Sequence, residues 1–415
     1  MSKNPDELFQ EREKRVNDAI QLKVPDRVPI MALSGFFPAF YAGVSCRDVM
    51  YDADKAVLAT TRYLQDFQPD MTDNPFALRC IGAILEALDC KHLKWAGHGL
   101  EENTAYQFVE AEYMKAEEYD QFLFDPTDFL IRTYWPRIFG VFEPFKNLPS
   151  FQDILCYYMG ITKFAAFADP AMKAAIDTLM KVGEQANTLI SASGKWALQC
   201  RELGFPTQAG ALSQAPFDTL SDFFRGTQGA MTDMYRRPEK VLAALDKLLP
   251  IMLNLGLAAK SRGVPRVFIP LHKGLDGFMS LAQFKKFFWP TLKRLVESLI
   301  AEGCTPILFW EGNVDSRLEV IADIPRGKAV YAFERTDIFR AKEILGDTVC
   351  LQGNVPLSTL VAGTPDDVKQ YCKKLIDVVG KSGGFIMASS TVMDDAKPEN
   401  VKAMFEFTRE YGVYR

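Results

Sequence analysis

The chain has 415 residues, 48% hydrophobic and 24% charged, with a net charge of −5. That balance is ordinary for a globular protein and disfavours a nucleic-acid or anionic-membrane surface; a polyanionic substrate would need arginines concentrated locally. A chain this long buries roughly three quarters of its unfolded surface, so folding needs no disulfide or metal staple.

The opening MSKNPDELFQEREKRV is charged and lacks an apolar core, so no secretory leader is expected. No run approaches about 18 apolar residues, which predicts no membrane span. Eight cysteines stand singly, without Cys-x-x-Cys spacing, and read as reduced core thiols of a cytoplasmic protein.

In chain order, RVPIMAL (27–33) and PDMTDN (69–74) are the first two apolar, strand-like runs. Residues 75–205 then exceed one crossover. They hold a β excursion around a glycine turn (91–114), acidic and aromatic-rich helices (115–150) and further helical stretches, and read as an insertion capping one end of the fold. PTQAGALSQ (206–214), RVFIPL (266–271), TPILFW (305–310), AVYAFE (329–334), TVCLQG (348–353) and GFIMASS (384–390) complete the series. Eight runs, most followed by a helix pattern, predict repeated β-α units closing into a single (β/α)8 TIM barrel over residues 1–415. An open doubly wound sheet is the alternative, but no G-x-G-x-x-G follows the first run. Thr364-Pro365-Asp366-Asp367 and Lys397-Pro398-Glu399 mark helix starts, and Ser280 caps a helix that Pro290 either kinks or splits.

In such a barrel the chemistry sits where strands end. The ends carry SGFFPAFY (34–41), Asp73 and Asn74, then His272, Lys273 and Asp276. Phe309, Trp310, Glu311 and Asn313 follow, then Glu334 and Asp337, Gln352 and Asn354, and Ser389 to Thr391. Phe36, Phe37, Phe309 and Trp310 make this lining aromatic, and Glu311 and Glu334 make it acidic, which suits a flat apolar ligand with one polar handle. Plainer readings stand beside these. Glu311 pairs with Arg317 or Lys273, Glu334 with Arg335, and SGFFPAFY is packing. Arg225 meets either a substrate carboxylate or a rim acid, Asp222 is structural, and His92 and His98 lie at the surface or behind the site.

Three stretches resemble the uroporphyrinogen decarboxylase superfamily: REKRVNDAIQLKVPDRVPI (12–30), LQGNVPLSTLVAGTPDDVKQYCKKLI (351–376) and GGFIMASSTVMDDAKPENVKAMFEFTREYG (383–412). The resemblance implies a (β/α)8 barrel and two activities, decarboxylation or corrinoid-dependent methyl transfer. The decarboxylases grip tetrapyrrole carboxylates with an arginine-rich loop; SGFFPAFYAG (34–43) has no arginine, and buried acids left unpaired cost several kcal/mol each. The methyltransferases hold zinc with His-x-Cys and a later Cys; matching landmarks put Phe309, Glu311 and Ser390 at those positions. Oxygen donors in place of thiolates suit an ether or phenolate oxygen better than a thiol.

The resemblance therefore implies transfer of a methyl group from a methoxylated aromatic to the Co(I) corrinoid of a partner protein. Glu311, His272 and Glu334 would be catalytic, and Phe36, Phe37, Phe309, Trp310, Arg225 and Asn313 would bind the donor. His272, Glu311, Asp276 and Glu334 are the donors for a zinc ion, a metal-free site remaining open. Transfer between a methyl-corrinoid and a thiol or pterin, or decarboxylation of an aromatic or tetrapyrrole acid, are the alternatives. Nucleic acid and membrane are not expected partners, and a homo-oligomer is left open.

Overall fold

Residues 4–414 are described by a computed structural model. Six of the apolar runs form one parallel sheet whose spatial order follows the chain: Ala211–Leu212, Arg266–Leu271, Thr305–Trp310, Val330–Phe333, Cys350–Gln352 and Phe385–Ile386. Its edges meet through single bridges. Ile30 pairs in parallel with Met387 and Thr72 with Thr207, while the Asp70 amide donates to the Ile30 carbonyl. The first two runs thus complete a ring of eight as isolated bridges rather than ladders, and the fold is the expected α/β barrel.

Alternation along Thr305–Trp310 decides what faces where. Ile307 joins Met31, Met71, Val330, Cys350 and Ile386 inside the ring, whereas Leu308 and Trp310 belong to the core between strands and helices. The helices begin as their sequences dictate. Thr364 and Asp367 form a capping box for Pro365–Val378, and Ser280 with Gln283 does the same for the helix that follows. That helix runs on through a π turn, Phe284–Phe288, into Trp289–Ala301. Pro290 brings no N–H to the ladder, and the wider turn before it absorbs the gap without splitting the helix.

Pro238–Ser261 is a 24-residue helix long and apolar enough to cross a membrane by length and composition. It packs on the strands Ala211–Leu212 and Arg266–Leu271, burying Val241, Ala244, Leu245, Leu248, Met252 and Ala259, a stripe at helical spacing.

Between the second and third ring segments lie a hairpin pairing Leu93–Ala96 antiparallel with Tyr106–Phe108, short helical turns, and the 33-residue helix Pro170–Glu202. At the opposite pole from the strand ends, Asp70 is fully buried. It accepts from both Arg15 and Arg27 and from the Ile30 amide, and Arg15 also holds Asp26 and Glu11.

Candidate active site

Register brings the central pair together. Leu271 lies opposite Trp310 in adjacent parallel strands, so the next residue of each, His272 and Glu311, emerges side by side at the C-terminal rim. The Glu311 amide donates to the Leu271 carbonyl, and His272 Nε2 stands 3.6 Å from Glu311 Oε1. Behind them, Asp222 Oδ2 takes His272 Nδ1 at 2.6 Å. Asp222 also accepts from Gln214 and lies 3.5 Å from Lys273 Nζ. It sits in a π turn, Leu220–Arg225, four residues after Asp218, a spacing that puts both acids on one helical face. Asp218, with no exposed surface, uses its two oxygens to accept the backbone amides of His272 and Lys273, fixing the loop.

The result is a carboxylate–imidazole–carboxylate chain with its Glu311 end half-exposed. Burial alone would lower the His272 pKa. The hydrogen bond to Asp222, the Glu311 carboxylate at 3.6 Å and the charge of Asp218 outweigh it, raising the pKa from 6.5 to about 11. Complete burial, with Asp222 as a like-charged neighbour, pushes Asp218 up.

Across the mouth, Ser34 donates to Asp73, and Arg79 is held by Asp73 and the carbonyls of Gly35, Asn74 and Pro75. Asp394 accepts the Phe36 amide, and burial raises its pKa. Gly35 has φ +56°, and a Cβ there would stand 2.1 Å from Asp394 Oδ1, so only glycine lets this loop close on that acid. From the hairpin, Tyr106 reaches Phe36 at 6.2 Å between ring centroids. Its hydroxyl pKa is raised by burial and by the charges of Asp394 and Glu311.

The remaining expected residues scatter. Phe309 points inward beside Phe268, 6.0 Å away, and Phe36 lies under Tyr106. Trp310 faces the helices against Phe284, Phe288 and Tyr331, so it is removed from the donor-binding set; a continuous apolar run hid which face it takes. Phe37 is likewise core, packed on Tyr41, Tyr63 and Phe67. Arg225 is spent on Asp233 and Glu112, the rim-pair reading. Asn313 closes a local turn with Asp315. Asp276 is bound by Arg317 and Ser316, and Glu334 pairs with Arg335 at 3.3 Å. Ser390 accepts the Leu357 amide.

These placements do not fit the zinc site expected from His272, Glu311, Asp276 and Glu334. Among the described residues no three His, Cys, Asp or Glu side chains converge as a metal site. The two acids nearest His272 approach opposite nitrogens of its ring, and Asp276 and Glu334 are committed elsewhere. Sequence reasoning missed Asp218, Asp394, Arg79 and Tyr106, and took Asp222 as structural; the (i, i+4) acids of "PFDTLSDFF" were the available signal.

A family model described as uroporphyrinogen decarboxylase matches residues 159–411. The uroporphyrinogen decarboxylase of Chlorobium luteolum is 28% identical over 182 residues, 43% of this chain and 51% of that protein. That of Syntrophotalea carbinolica is 25% identical over 168 residues, 40% of this chain and 48% of its own. The chain spans about half the length of the curated relatives it matches. Among solved structures, a methyltransferase from Methanosarcina mazei has a TM-score of 0.63 at 16% identity, covering 96% of this chain and 98% of that one, a likeness of fold.

Proposed function

The chain belongs to the uroporphyrinogen decarboxylase family, whose model matches more than half of it, and from that premise we propose that it is a methyltransferase demethylating an aryl methyl ether. The observation that carries the reading is the chain Asp222–His272–Glu311 at the rim. The corrinoid of a partner protein supplies the nucleophile that accepts the methyl group. This chain's task is the oxygen left behind, a phenolate whose conjugate acid has a pKa of about 10 by analogy with tyrosine.

His272 meets that need. Its pKa of about 11 keeps the ring protonated at neutral pH and close to the phenol it must serve. Asp222 fixes Nδ1, so Nε2 is the nitrogen presented to the mouth, and the cation stabilises charge growing on the ether oxygen before giving up its proton. Glu311, beside Nε2, orients the ring and balances its charge. Of the residues expected to be catalytic, His272 is thus the proton donor. Phe36, Phe309 and Tyr106 supply an apolar, aromatic wall for a flat donor. In this reading residues 75–205 cap the mouth of a single domain, and the seven buried or half-buried cysteines beside exposed Cys156 suit a reducing cytoplasm.

Decarboxylation of a multiply charged tetrapyrrole is less well supported. Arg79, Arg225 and Lys273 are each already held by acids or carbonyls of the protein. The deciding experiment supplies a methoxyarene and a reduced corrinoid protein and follows methylation by absorbance. Wild type methylates the corrinoid, and His272→Asn loses about 10²–10⁴-fold of the rate. No methylation by wild type, or an unchanged rate in His272→Asn, refutes the assignment.

A further inference from the structure

Across the mouth from His272 stand two polar groups to which demethylation gives no task. The first is the Tyr106 hydroxyl. Its hairpin is anchored by Trp95, the residue paired with Tyr106 across the strands, which is fully buried and donates its indole N–H to Tyr51. The Tyr106 ring is held against Phe36 and, edge to face, against Phe108 at 5.9 Å. Its hydroxyl makes no hydrogen bond among the described residues, and after burial the charges of Asp394 and Glu311 are what raise its pKa. The second group is Asp394. One of its oxygens accepts the Phe36 amide, and the other has no partner among the described residues. Phe36 thus brings the two together, Tyr106 on its ring and Asp394 on its amide. The ring of strands offers apolar room beside them. Ser213 turns to the helix Pro238–Ser261, donating to the Met252 carbonyl, so Leu212 faces the inside, where it is 54% exposed next to Phe268.

We infer that Tyr106 and Asp394 form a subsite for a neutral hydroxyl on the donor's ring, which makes methoxyphenols the preferred donors. The inference rests on the demethylase reading for the methyl ether, and on this pair for the second substituent. A phenol hydroxyl, un-ionised below a pKa of about 10, both gives and takes a hydrogen bond. It donates to the free oxygen of Asp394 and accepts from the Tyr106 O–H, so each group meets the partner it lacks. A carboxylate on the donor finds no such match. It would lie among the carboxylates of Asp394, Asp73 and Glu311. Arg79, whose guanidinium lies 5.9 Å from the Phe36 ring, is already held by Asp73 and the carbonyls of Gly35, Asn74 and Pro75. Unpaired like charges exclude such a donor as firmly as the two hydrogen bonds select the phenol.

Calorimetric titration of the full chain with the methoxyphenol isomers, anisole and para-methoxybenzoate tests this without a corrinoid. Wild type binds at least one methoxyphenol about 10–100-fold tighter than anisole, the worth of a hydrogen bond to a charged group, and binds para-methoxybenzoate no better than anisole. Tyr106→Phe keeps the ring, and Asp394→Asn keeps an acceptor for the Phe36 amide. Each lowers the ratio of methoxyphenol to anisole affinity about tenfold, whereas a merely structural role weakens both ligands alike. Absence of binding, equal affinity for methoxyphenols and anisole, a preference for para-methoxybenzoate, or a ratio unchanged in both variants overturns the inference. Selective methoxyphenol binding without methylation of a reduced corrinoid upholds the subsite and refutes the demethylase reading. Corrinoid methylation from anisole as fast as from every methoxyphenol upholds that reading and refutes the subsite.

Discussion

The barrel carries a buried charge network at each pole, and the two are built differently. At the N-terminal pole, Asp70 is enclosed by Arg15, Arg27 and the Ile30 amide, and Arg15 in turn by Asp26 and Glu11. Each guanidinium nitrogen of Arg15 has an acid at 2.6–2.7 Å, about the distance of an ideal charge-assisted bond, and Asp70 has no exposed surface. At the C-terminal pole, three acids surround one imidazole, and the chain of contacts ends at half-exposed Glu311. The first network closes around Asp70, whose two oxygens are both taken, and answers a structural need, tying together the first two ring segments, which meet the sheet through isolated bridges. The second holds a proton on His272 against its burial and leaves one nitrogen beside the opening. An imidazole edge left at the opening is what separates a site from a staple.

Variants at the two poles should fail in different ways. The largest effect is expected at the closed pole: Asp70→Ala takes the acid from Arg27, leaves buried Arg15 with only Asp26 and Glu11, and costs about 3–5 kcal/mol in urea unfolding, with methyl transfer per folded molecule intact. Loss of transfer without loss of stability would erase the contrast. At the open pole, Glu311→Gln leaves folding in place but lowers the His272 pKa by about 1–3 units, the worth of one nearby opposite charge, readable by NMR titration.

Stability against pH is the next test. His272 keeps in the folded chain a proton that the unfolded chain releases near 6.5. Its stabilisation is therefore whole below pH 6.5 and is lost as pH rises through about 11. The raised pKa of Asp218 adds a fall in the same direction, from above the unfolded value of 3.8. The melting temperature should drop between pH 7 and pH 10 in wild type and drop less in His272→Asn; parallel curves would show no bound proton there. The smallest effect belongs to Trp310→Phe, which removes an indole nitrogen that has no hydrogen-bond partner among the described residues and costs about 1–2 kcal/mol of packing, with transfer unchanged. A fall in transfer would return that ring to the site.

The barrel was legible because its strands are short apolar runs set between capped helices, and Thr364 with Asp367 marks one such cap. Glu311 and His272 were legible for a related reason: each is the first polar residue after such a run. What was hidden depended on facing and on distance along the chain. "LFW" does not reveal that Phe309 turns inward and Trp310 outward, because both sides of a barrel strand are apolar. Asp276 resembled a ligand until Arg317 arrived from the next loop. Asp222 sits 50 residues before His272 in a helical turn, and only the fold delivers it to Nδ1.

The most direct measurement is the protonation state of one imidazole. The chain has three histidines, His92, His98 and His272, so ¹⁵N-histidine spectra are simple to assign by His→Asn substitution. The resonances lost in His272→Asn should report a ring still doubly protonated at pH 9, held by Asp222 and Glu311. A His272 that is neutral at pH 8 would contradict the proton-donor role and the functional reading built on it.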